Sequence, residues 1–252
     1  MNDTNPTVLV VPCFNEARRL NVAAYRRFAT EQTDVVLVLV DDGSTDNTAE
    51  VLEQVRSGLE DAVRILRLPR NSGKAEAVRQ GILFALAQFE PKVVGFWDAD
   101  LATPFDALSR LRHVLLVQPE IEMVFGARVQ LLGRHVKRSA LRHYLGRIFA
   151  TAVSIVLEVP IYDSQCGAKL FRVGPRTAPI FAEPFLSKWV FDVEILARYR
   201  RRYLAEGVNL TETVYEYPLE CWVDVAGSKV RPADFFLALR DILRIRLAYF
   251  RR

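Results

Sequence analysis

The sequence predicts an α/β protein in which helices cover both faces of a mainly parallel central sheet. Two observations support this fold class. Through the first half of the chain, short runs rich in β-branched residues alternate with stretches whose apolar residues recur at helical spacing, which implies a mainly parallel sheet. The chain also has 252 residues, of which 50% are hydrophobic, so it can bury one large core.

The first half of the chain contains five predicted strands. They span residues 8–14, 34–40, 63–68, 93–97 and 123–127. Helices are predicted through about residue 31, around Val51, Leu52 and Val55, over 74–89 and over 105–117. Ser44, Asp46 or Asn47 can cap the second of these helices, and Pro104 suits the first turn of the fourth.

The second half of the chain has a different pattern. A long apolar helix with basic residues at its start is predicted over 138–158, and a loop leads to a short strand over 162–172. A helix follows over 187–203, then an extended segment over 214–223, in which Pro218 favours a position at the edge of a sheet. The final helix, over 232–252, carries apolar residues interspersed with arginines.

Two carboxylates, those of Asp98 and Asp100, follow the fourth predicted strand. Alternate residues of an extended segment project the same way, so both side chains point beyond the carboxyl end of the strand, where α/β sheets bind ligands. Adjacent carboxylates repel each other unless a cation lies between them, and their hard oxygen atoms suit Mg²⁺ or Mn²⁺. A solvated turn with two acids is the alternative interpretation.

The charge distribution indicates the kind of partner. The chain has 34 basic and 30 acidic residues, a net charge of +4, and its arginines cluster in 134–147, 198–202 and 240–252. Such clusters suit phosphate-bearing ligands or an anionic membrane surface, and no nucleic-acid recognition motif is present.

Other features of the sequence indicate the compartment. Cys13, Cys166 and Cys221 are odd in number and far apart, which favours neither zinc nor disulfides and fits a reducing cytoplasm. The N-terminal residues lack the pattern of a signal peptide. No apolar run reaches the length of a transmembrane helix, so none is expected.

Several motifs in a fixed order carry a resemblance to a known family. They are Pro12 with Asn15-Glu16, Asp41-Asp42-Gly43-Ser44, Asn71-Ser72-Gly73-Lys74 and Asp98-Ala99-Asp100. This order resembles the inverting GT-A glycosyltransferases of family 2. In the second half, residues 163–171 (DSQCGAKLF), Trp189 with 191–194 (FDVE), and Trp222 with Gly227-Ser228-Lys229 look like the dolichyl-phosphate (polyprenyl-phosphate) β-glucosyltransferases.

Three departures from the family pattern are visible, and one of them is Ala75 in place of the family's usual second glycine after Gly73-Lys74. The eukaryotic glucosyltransferases carry an N-terminal membrane anchor, which this sequence does not show. Mannose synthases commonly have glutamine where this chain has Ala102, which argues against a mannose-synthase metal site and is compatible with the glucosyl branch.

The resemblance implies a fold, an activity and partners. It implies a GT-A domain over 1–228 and an amphipathic C-terminal helix over 229–252. The implied activity is transfer of glucose from UDP-glucose to a polyprenyl (dolichyl-type) phosphate, with Mg²⁺ or Mn²⁺ as cofactor and inversion of the anomeric centre. The protein is expected in the cytoplasm, peripheral on the inner face of the membrane. GDP-mannose as donor, a soluble saccharide as acceptor, and a nucleotide-sugar-binding module without turnover remain alternatives.

The resemblance also implies roles for individual residues. The predicted donor-nucleotide site comprises Pro12, Asn15, Glu16, Asp41, Asp42, Lys74, Asp98 and Ala99. Asp98 and Asp100 are predicted metal ligands, and Asp98 and Asp163 are predicted catalytic residues. Arg128, Arg138, Gln165, Lys169 and Lys229 are predicted to bind phosphate or the acceptor.

Each of these roles has a structural alternative. Asp42 could cap a helix, Lys74 could be a solvated helix start, and Asp163 could only form a turn. The basic residues of the acceptor set could be ordinary surface charges. A lipid phosphate is largely ionised at neutral pH, so Asp163 could orient the acceptor or the sugar without taking a proton.

Overall fold

The computed structural model of the chain describes residues 5–137, 140–223, 225 and 232–250. It confirms the predicted α/β class. The chain forms two compact units, one comprising Met1–Leu101 with Ala168–Pro184 and the other Ala102–Gly167 with Phe185–Arg252. The predicted division at residues 228 and 229 stays a prediction.

The strands of the described residues are β1 Thr7–Cys13, β2 Val35–Asp41, β3 Val63–Arg67, β4 Val93–Trp97, β5 Met123–Ala127, β6 His135–Lys137, β7 Ala168–Arg172, β8 Val214–Pro218 and β9 Cys221–Val223. The α-helices are α1 Val22–Glu31, α2 Thr48–Arg56, α3 Lys74–Phe89, α4 Ala107–Val117, α5 Ala140–Leu157, α6 Thr177–Phe181, α7 Phe191–Glu206 and α8 Pro232–Phe250. A 3-10 turn spans Leu210–Glu212.

In the first unit, five strands form a sheet in the order β3-β2-β1-β4-β7. β1 to β4 are parallel, and β7 runs antiparallel to β4. β1 and β2 are almost fully buried and rich in valine, as expected for strands covered on both faces. Their register pairs Cys13 with Asp41, so the carboxyl ends of β1 and β2 lie side by side.

Helix α3 packs closely against this sheet because Gly81 has no side chain. A Cβ at Gly81 would lie 2.3 Å from Cγ1 of Val10 and 2.8 Å from Cγ2 of Val40. The start of α3 is thereby kept near the ends of β1 and β2, where the predicted donor site lies.

In the second unit, β5 pairs in parallel with β8, and β6 with β9. A buried polar network joins α7 to α8. Glu194 accepts a hydrogen bond from Arg198 at 2.8 Å, and Tyr249 of α8 donates to the same carboxylate oxygen at 2.7 Å. Burial, followed by Glu194, raises the pKa of the Tyr249 hydroxyl, which therefore stays protonated and can donate.

Several local features differ from the sequence prediction. Helix α7 begins at Phe191, not at residue 187, because the Ser187 hydroxyl accepts the N–H groups of Trp189 and Val190 in a preceding turn. The extended segment 214–223 consists of two strands, β8 and β9, which pair with different partners. The short elements β6 and α6 were not predicted.

Candidate functional site

The loop after β4 carries the two aspartates. Asp98 and Asp100 have 33% and 25% of their side chains exposed, whereas Trp97 before them is fully buried. The Leu101 N–H donates to the Asp98 carbonyl at 3.2 Å, and Leu101 has a positive φ of 53°. The carboxylates are thus held in a tight turn at the end of a buried strand, within reach of a ligand.

Each of these carboxylates faces a cation. Lys74 Nζ lies 2.5 Å from Asp98 Oδ1, and Arg19 Nη2 lies 3.5 Å from Asp100 Oδ2. The structure therefore brings Lys74, a predicted donor-binding residue, beside the aspartates and adds Arg19, which the sequence analysis missed. Arg19 stands three residues after Glu16, and that spacing of opposite charges was the signal that could have found it.

A buried tyrosine of helix α1 holds the same loop by a hydrogen bond. The Tyr25 hydroxyl donates to the Ala99 carbonyl, between the two aspartates, at 3.1 Å. Burial, together with the nearby carboxylates of Asp100, Asp98 and Glu16, raises the pKa of Tyr25 well above its ordinary value, so the hydroxyl stays protonated and can donate. Burial likewise raises the pKa of the Cys13 thiol, which excludes a nucleophilic thiolate here.

Glu16 forms an ion pair with Arg19. Its carboxylate Oε2 lies 3.0 Å from Arg19 Nε, and its backbone N–H donates to the Thr48 hydroxyl at 2.8 Å. Glu16 is buried. A direct contact between Glu16 and the nucleotide therefore stays a prediction.

Asp41 and Asp42, at the end of β2, are buried and bind backbone N–H groups. Asp41 Oδ1 accepts from Ser44 at 2.9 Å. Asp42 accepts from Ser72 and Gly73, one to each oxygen, both at 2.8 Å. Asp42 thus holds the loop that leads into α3 and so fixes the position of Lys74. The alternative role of Asp42 was to cap the helix that follows β2, but these contacts are with Ser72 and Gly73 instead.

Because Gly43 has no side chain, the loop that leads into α3 can pack closely against the loop after β2. Its φ is +63°, and a Cβ there would lie 2.5 Å from the Arg70 carbonyl carbon. Asn15 also has a positive φ, of 52°, and its side-chain oxygen accepts from the Thr45 N–H at 2.9 Å. The loops after β1 and β2 are therefore tied together by polar contacts, next to Pro12 in β1.

The second unit contains a separate cluster around Asp163. Arg128 donates to both oxygens of the Asp163 carboxylate, from Nε at 2.6 Å and from Nη2 at 2.7 Å. The side chains of Arg128 and Asp163 are 16% and 7% exposed. The Arg128 guanidinium carbon also lies 5.3 Å from the centre of the Trp222 ring. The sequence predicted Arg128 and Asp163 separately, and the structure joins them as an ion pair.

Backbone contacts fix this cluster. The Arg128 N–H donates to Asp163 at 3.0 Å, and the Gln165 N–H does so at 3.3 Å. Glu216 of β8 accepts the N–H groups of Tyr162 and Asp163, each at 2.8 Å. Because both Asp163 oxygens already accept hydrogen bonds from Arg128, the geometry suits an arginine-positioning role for Asp163 better than proton transfer.

The remaining predicted acceptor residues lie in different surroundings. The Gln165 Nε2 atom is buried and has no hydrogen-bond partner among the described residues, so it can donate to a ligand. Lys169, in β7, is fully buried with its Nζ 5.5 Å from the centre of the Phe96 ring, which excludes an ordinary surface charge. Arg138 and Lys229 lie outside the described residues.

The carboxylate oxygens of the aspartate loop fit a divalent metal whose other ligands come from a phosphate and water. No group of three or more His, Cys, Asp or Glu residues able to hold a metal occurs in the described parts of the chain. Asp98 and Asp100 supply an incomplete set of oxygen ligands. Mg²⁺ and related ions are bound in this way, with one or two carboxylates and the rest from phosphate and water.

Comparison with known proteins identifies related chains. The family model "Glycosyl transferase family 2" matches residues 8–174. Proteins named dolichyl-phosphate β-glucosyltransferase from Dictyostelium discoideum, Saccharomyces cerevisiae and Homo sapiens are 31%, 33% and 31% identical to this chain. The matches cover 96%, 96% and 98% of this chain and 74%, 74% and 76% of those proteins.

Solved structures of glucosyl-3-phosphoglycerate synthase from Mycobacterium tuberculosis share the fold. The complex with Mn²⁺, UDP and phosphoglyceric acid has a TM-score of 0.67 and 18% identity, over 97% of this chain and 78% of that chain. The complex with Mn²⁺ and UDP-glucose has a TM-score of 0.63 and 16% identity, over 97% and 79%. These similarities confirm the predicted GT-A fold.

Proposed function

This chain belongs to glycosyl transferase family 2 and is a glycosyltransferase, and we propose that it transfers glucose from UDP-glucose to a polyprenyl phosphate of the dolichyl type. The observation that carries the proposal is the loop after β4, where two partly exposed aspartates face Lys74 and Arg19. The relatives named dolichyl-phosphate β-glucosyltransferase support the choice of acceptor and sugar. The neighbours crystallised with Mn²⁺ and UDP support a divalent metal and a uridine nucleotide.

In this proposal the first unit binds the donor. Asp98 and Asp100 would hold Mg²⁺ or Mn²⁺, which when bound supplies positive charge for the diphosphate leaving group. Lys74 supplies a further charge-assisted contact to the diphosphate. Asp41 and Asp42, at the carboxyl end of β2, are the proposed partners of the ribose hydroxyl groups, as acidic residues are in other nucleotide-binding folds.

The chemical step inverts the anomeric carbon. An oxygen of the lipid phosphate attacks that carbon and forms a new carbon–oxygen bond. The bond to UDP breaks on the opposite face, and its electron pair leaves with UDP, so an α-linked donor gives a β-linked product. No proton has to be removed from the acceptor, because the second pKa of a phosphate monoester is about 6.

In the second unit, the Arg128–Asp163 cluster is the proposed acceptor-phosphate site. Arg128 is oriented on two sides, by Asp163 and by the Trp222 ring, and so can present a fixed cation to a phosphate. Gln165 Nε2, which has no hydrogen-bond partner in the parts of the chain that the structure describes, is a proposed donor to the same phosphate.

Helices α5 and α8 of the second unit are the proposed membrane-contacting surface. Exposed apolar side chains lie on α5 at Tyr144, Ile148 and Ile155 and on α8 at Leu237, Leu243 and Leu247. Arg240 and Arg244, with 63% and 51% of their side chains exposed, alternate with the leucines of α8. Apolar and basic side chains on one helix favour binding at an anionic membrane surface. Among the described helices none is both long and apolar enough to cross a bilayer.

We further propose that the enzyme acts at the cytoplasmic face of the membrane. The three cysteines are free thiols, which suits a reducing compartment.

The function is tested by radiolabelled transfer. Purified protein, Mn²⁺ and labelled UDP-glucose are incubated with polyprenyl-phosphate vesicles, and the label in the lipid extract is measured. We expect a glucosyl lipid with UDP-glucose and much less product with GDP-mannose. Label that appears only in a soluble saccharide, or donor that is bound but never turned over, would contradict the proposed acceptor or the proposed activity, respectively.

Membrane contact is tested by vesicle flotation. Replacing Arg240 and Arg244 together by glutamate is expected to weaken binding to anionic vesicles roughly tenfold or more, because each basic residue near such a surface contributes about 1 kcal/mol. The matched control replaces Arg18 and Arg27, which are exposed in the first unit, by glutamate and changes the net charge equally. Equal loss of binding in the two double variants would contradict the assignment of the α8 surface.

A further inference from the structure

We propose that Arg19 is a built-in counter-cation of the aspartate loop, pairing with Asp100 before metal arrives and turning to the diphosphate when metal and sugar nucleotide bind. Metal and nucleotide would consequently bind cooperatively. The inference rests on the proposed function, because it requires a metal and a diphosphate at Asp98 and Asp100.

The contacts of Arg19 show how it could exchange partners. One side of the guanidinium, Nε, is paired with the buried Glu16 at 3.0 Å. The other side, Nη2, faces Asp100 at 3.5 Å, which is long for a charge-assisted hydrogen bond. The guanidinium can therefore leave Asp100 while Glu16 still holds it beside the loop.

The contact with Asp100 is also weak enough to be given up. Arg19 and Asp100 have 27% and 25% of their side chains exposed, and ion pairs with this access to water contribute little to stability. Its effect lies in the charge that a metal ion meets. A divalent metal that binds Asp100 has to displace the Arg19 guanidinium and is repelled by its positive charge.

Lys74 and Asp98 repeat the arrangement at the other carboxylate, with 2.5 Å between Nζ and Oδ1. Two carboxylates therefore face two cations, and the formal charges of these four groups cancel before a ligand binds. Glu16, which is paired with Arg19, leaves one further negative charge beside them. A metal alone would leave both cations displaced beside a dication. When a diphosphate binds together with the metal, its anionic oxygens can pair with both Lys74 and Arg19. The binding of either ligand therefore favours the binding of the other.

The test measures Mn²⁺ binding, and the readout is not activity. Free Mn²⁺ is followed by electron paramagnetic resonance during titration of the protein, with and without UDP. We expect Arg19→Gln to bind Mn²⁺ about three- to tenfold more tightly than the wild type when UDP is absent, because a charge that competes for Asp100 is gone. UDP should then increase the Mn²⁺ affinity of the variant by a smaller factor than that of the wild type.

Reciprocity provides an internal check. The factor by which UDP strengthens Mn²⁺ binding has to equal the factor by which Mn²⁺ strengthens UDP binding, so calorimetric titration of UDP should give the same reduced coupling in Arg19→Gln. Arg18→Gln is the matched control, since it removes the same charge from the adjacent, exposed position. It should behave like the wild type.

The outcomes separate this inference from the function on which it rests. Arg19→Gln with wild-type Mn²⁺ affinity and wild-type coupling would overturn the role of Arg19. The same changes in Arg18→Gln would show a general charge effect and would overturn it as well. A wild-type protein that binds no Mn²⁺ even with UDP would instead refute the proposed metal site. Arg19→Ala, whose shorter side chain also loses the pairing with Glu16, should reproduce the tighter Mn²⁺ binding.

Discussion

Replacing Asp100 by asparagine is expected to lower glucosyl transfer about 10²- to 10³-fold. The substitution keeps the shape of the side chain but removes the charge that would bind the metal next to the diphosphate. Because Asp100 is partly exposed, the fold should be little affected. Initial rates with Mn²⁺ and labelled UDP-glucose measure the loss. Thermal unfolding should show that UDP with Mn²⁺ stabilises the wild type but not the variant, since a ligand stabilises only a fold that binds it.

Asp61→Asn is the matched control for this prediction. Asp61 lies in the same unit, is fully exposed and pairs only loosely with Arg64, at 3.6 Å. The same loss of one charge there should leave transfer and the response to Mn²⁺ unchanged. If Asp100→Asn turned over at the wild-type rate, the metal site and the proposed mechanism would both be wrong.

Replacing Asp163 by alanine is expected to lower kcat/KM for the polyprenyl phosphate about 10²-fold, because Arg128 would lose the group that orients it. Asp163→Asn should recover part of this loss, since an amide oxygen can still accept one hydrogen bond from the guanidinium. Slow hydrolysis of UDP-glucose without acceptor should be unchanged, because the proposed donor residues belong to the first unit. Steady-state rates over a range of acceptor concentrations measure both effects.

Three readouts distinguish a positioning role for Asp163 from a role as base. Arg128→Ala and Asp163→Ala should be strongly non-additive in the double variant, since the two residues would act as one unit. The pH dependence of Asp163→Asn should follow that of the wild type. Thermal unfolding shows whether removing one partner of this largely buried pair has destabilised the fold. Additive losses, or a pH profile in which a limb disappears in Asp163→Asn, would contradict the positioning role.

Local patterns in the sequence were sufficient to predict most of the fold. Helix α3 and strand β5 have the predicted boundaries, because a run of apolar residues and its flanking breakers are local features. The same reasoning located Asp98 and Asp100 at the end of a strand. The start of α7 was predicted too early, because the apolar pattern continues into the turn that Ser187 organises.

The interactions that complete the site join distant residues and leave no local signal. Asp42 binds N–H groups 30 and 31 residues away, and Arg128 pairs with a residue 35 positions away. The Tyr25 contact with Ala99 spans 74 residues. Which polar groups meet over such separations depends on how the strands are ordered in the sheet, so the sequence could place the acids at the site but not their supporting contacts.

The hydrogen bond from Tyr25 to Ala99 has a consequence for donor choice. A buried phenol anchors the peptide between the two acids to helix α1, so their spacing stays the same whichever sugar a nucleotide carries. Discrimination between hexoses then falls to side chains outside this anchored peptide. Redesign of the donor preference should therefore begin there and leave the hydrogen bond between Tyr25 and Ala99 intact.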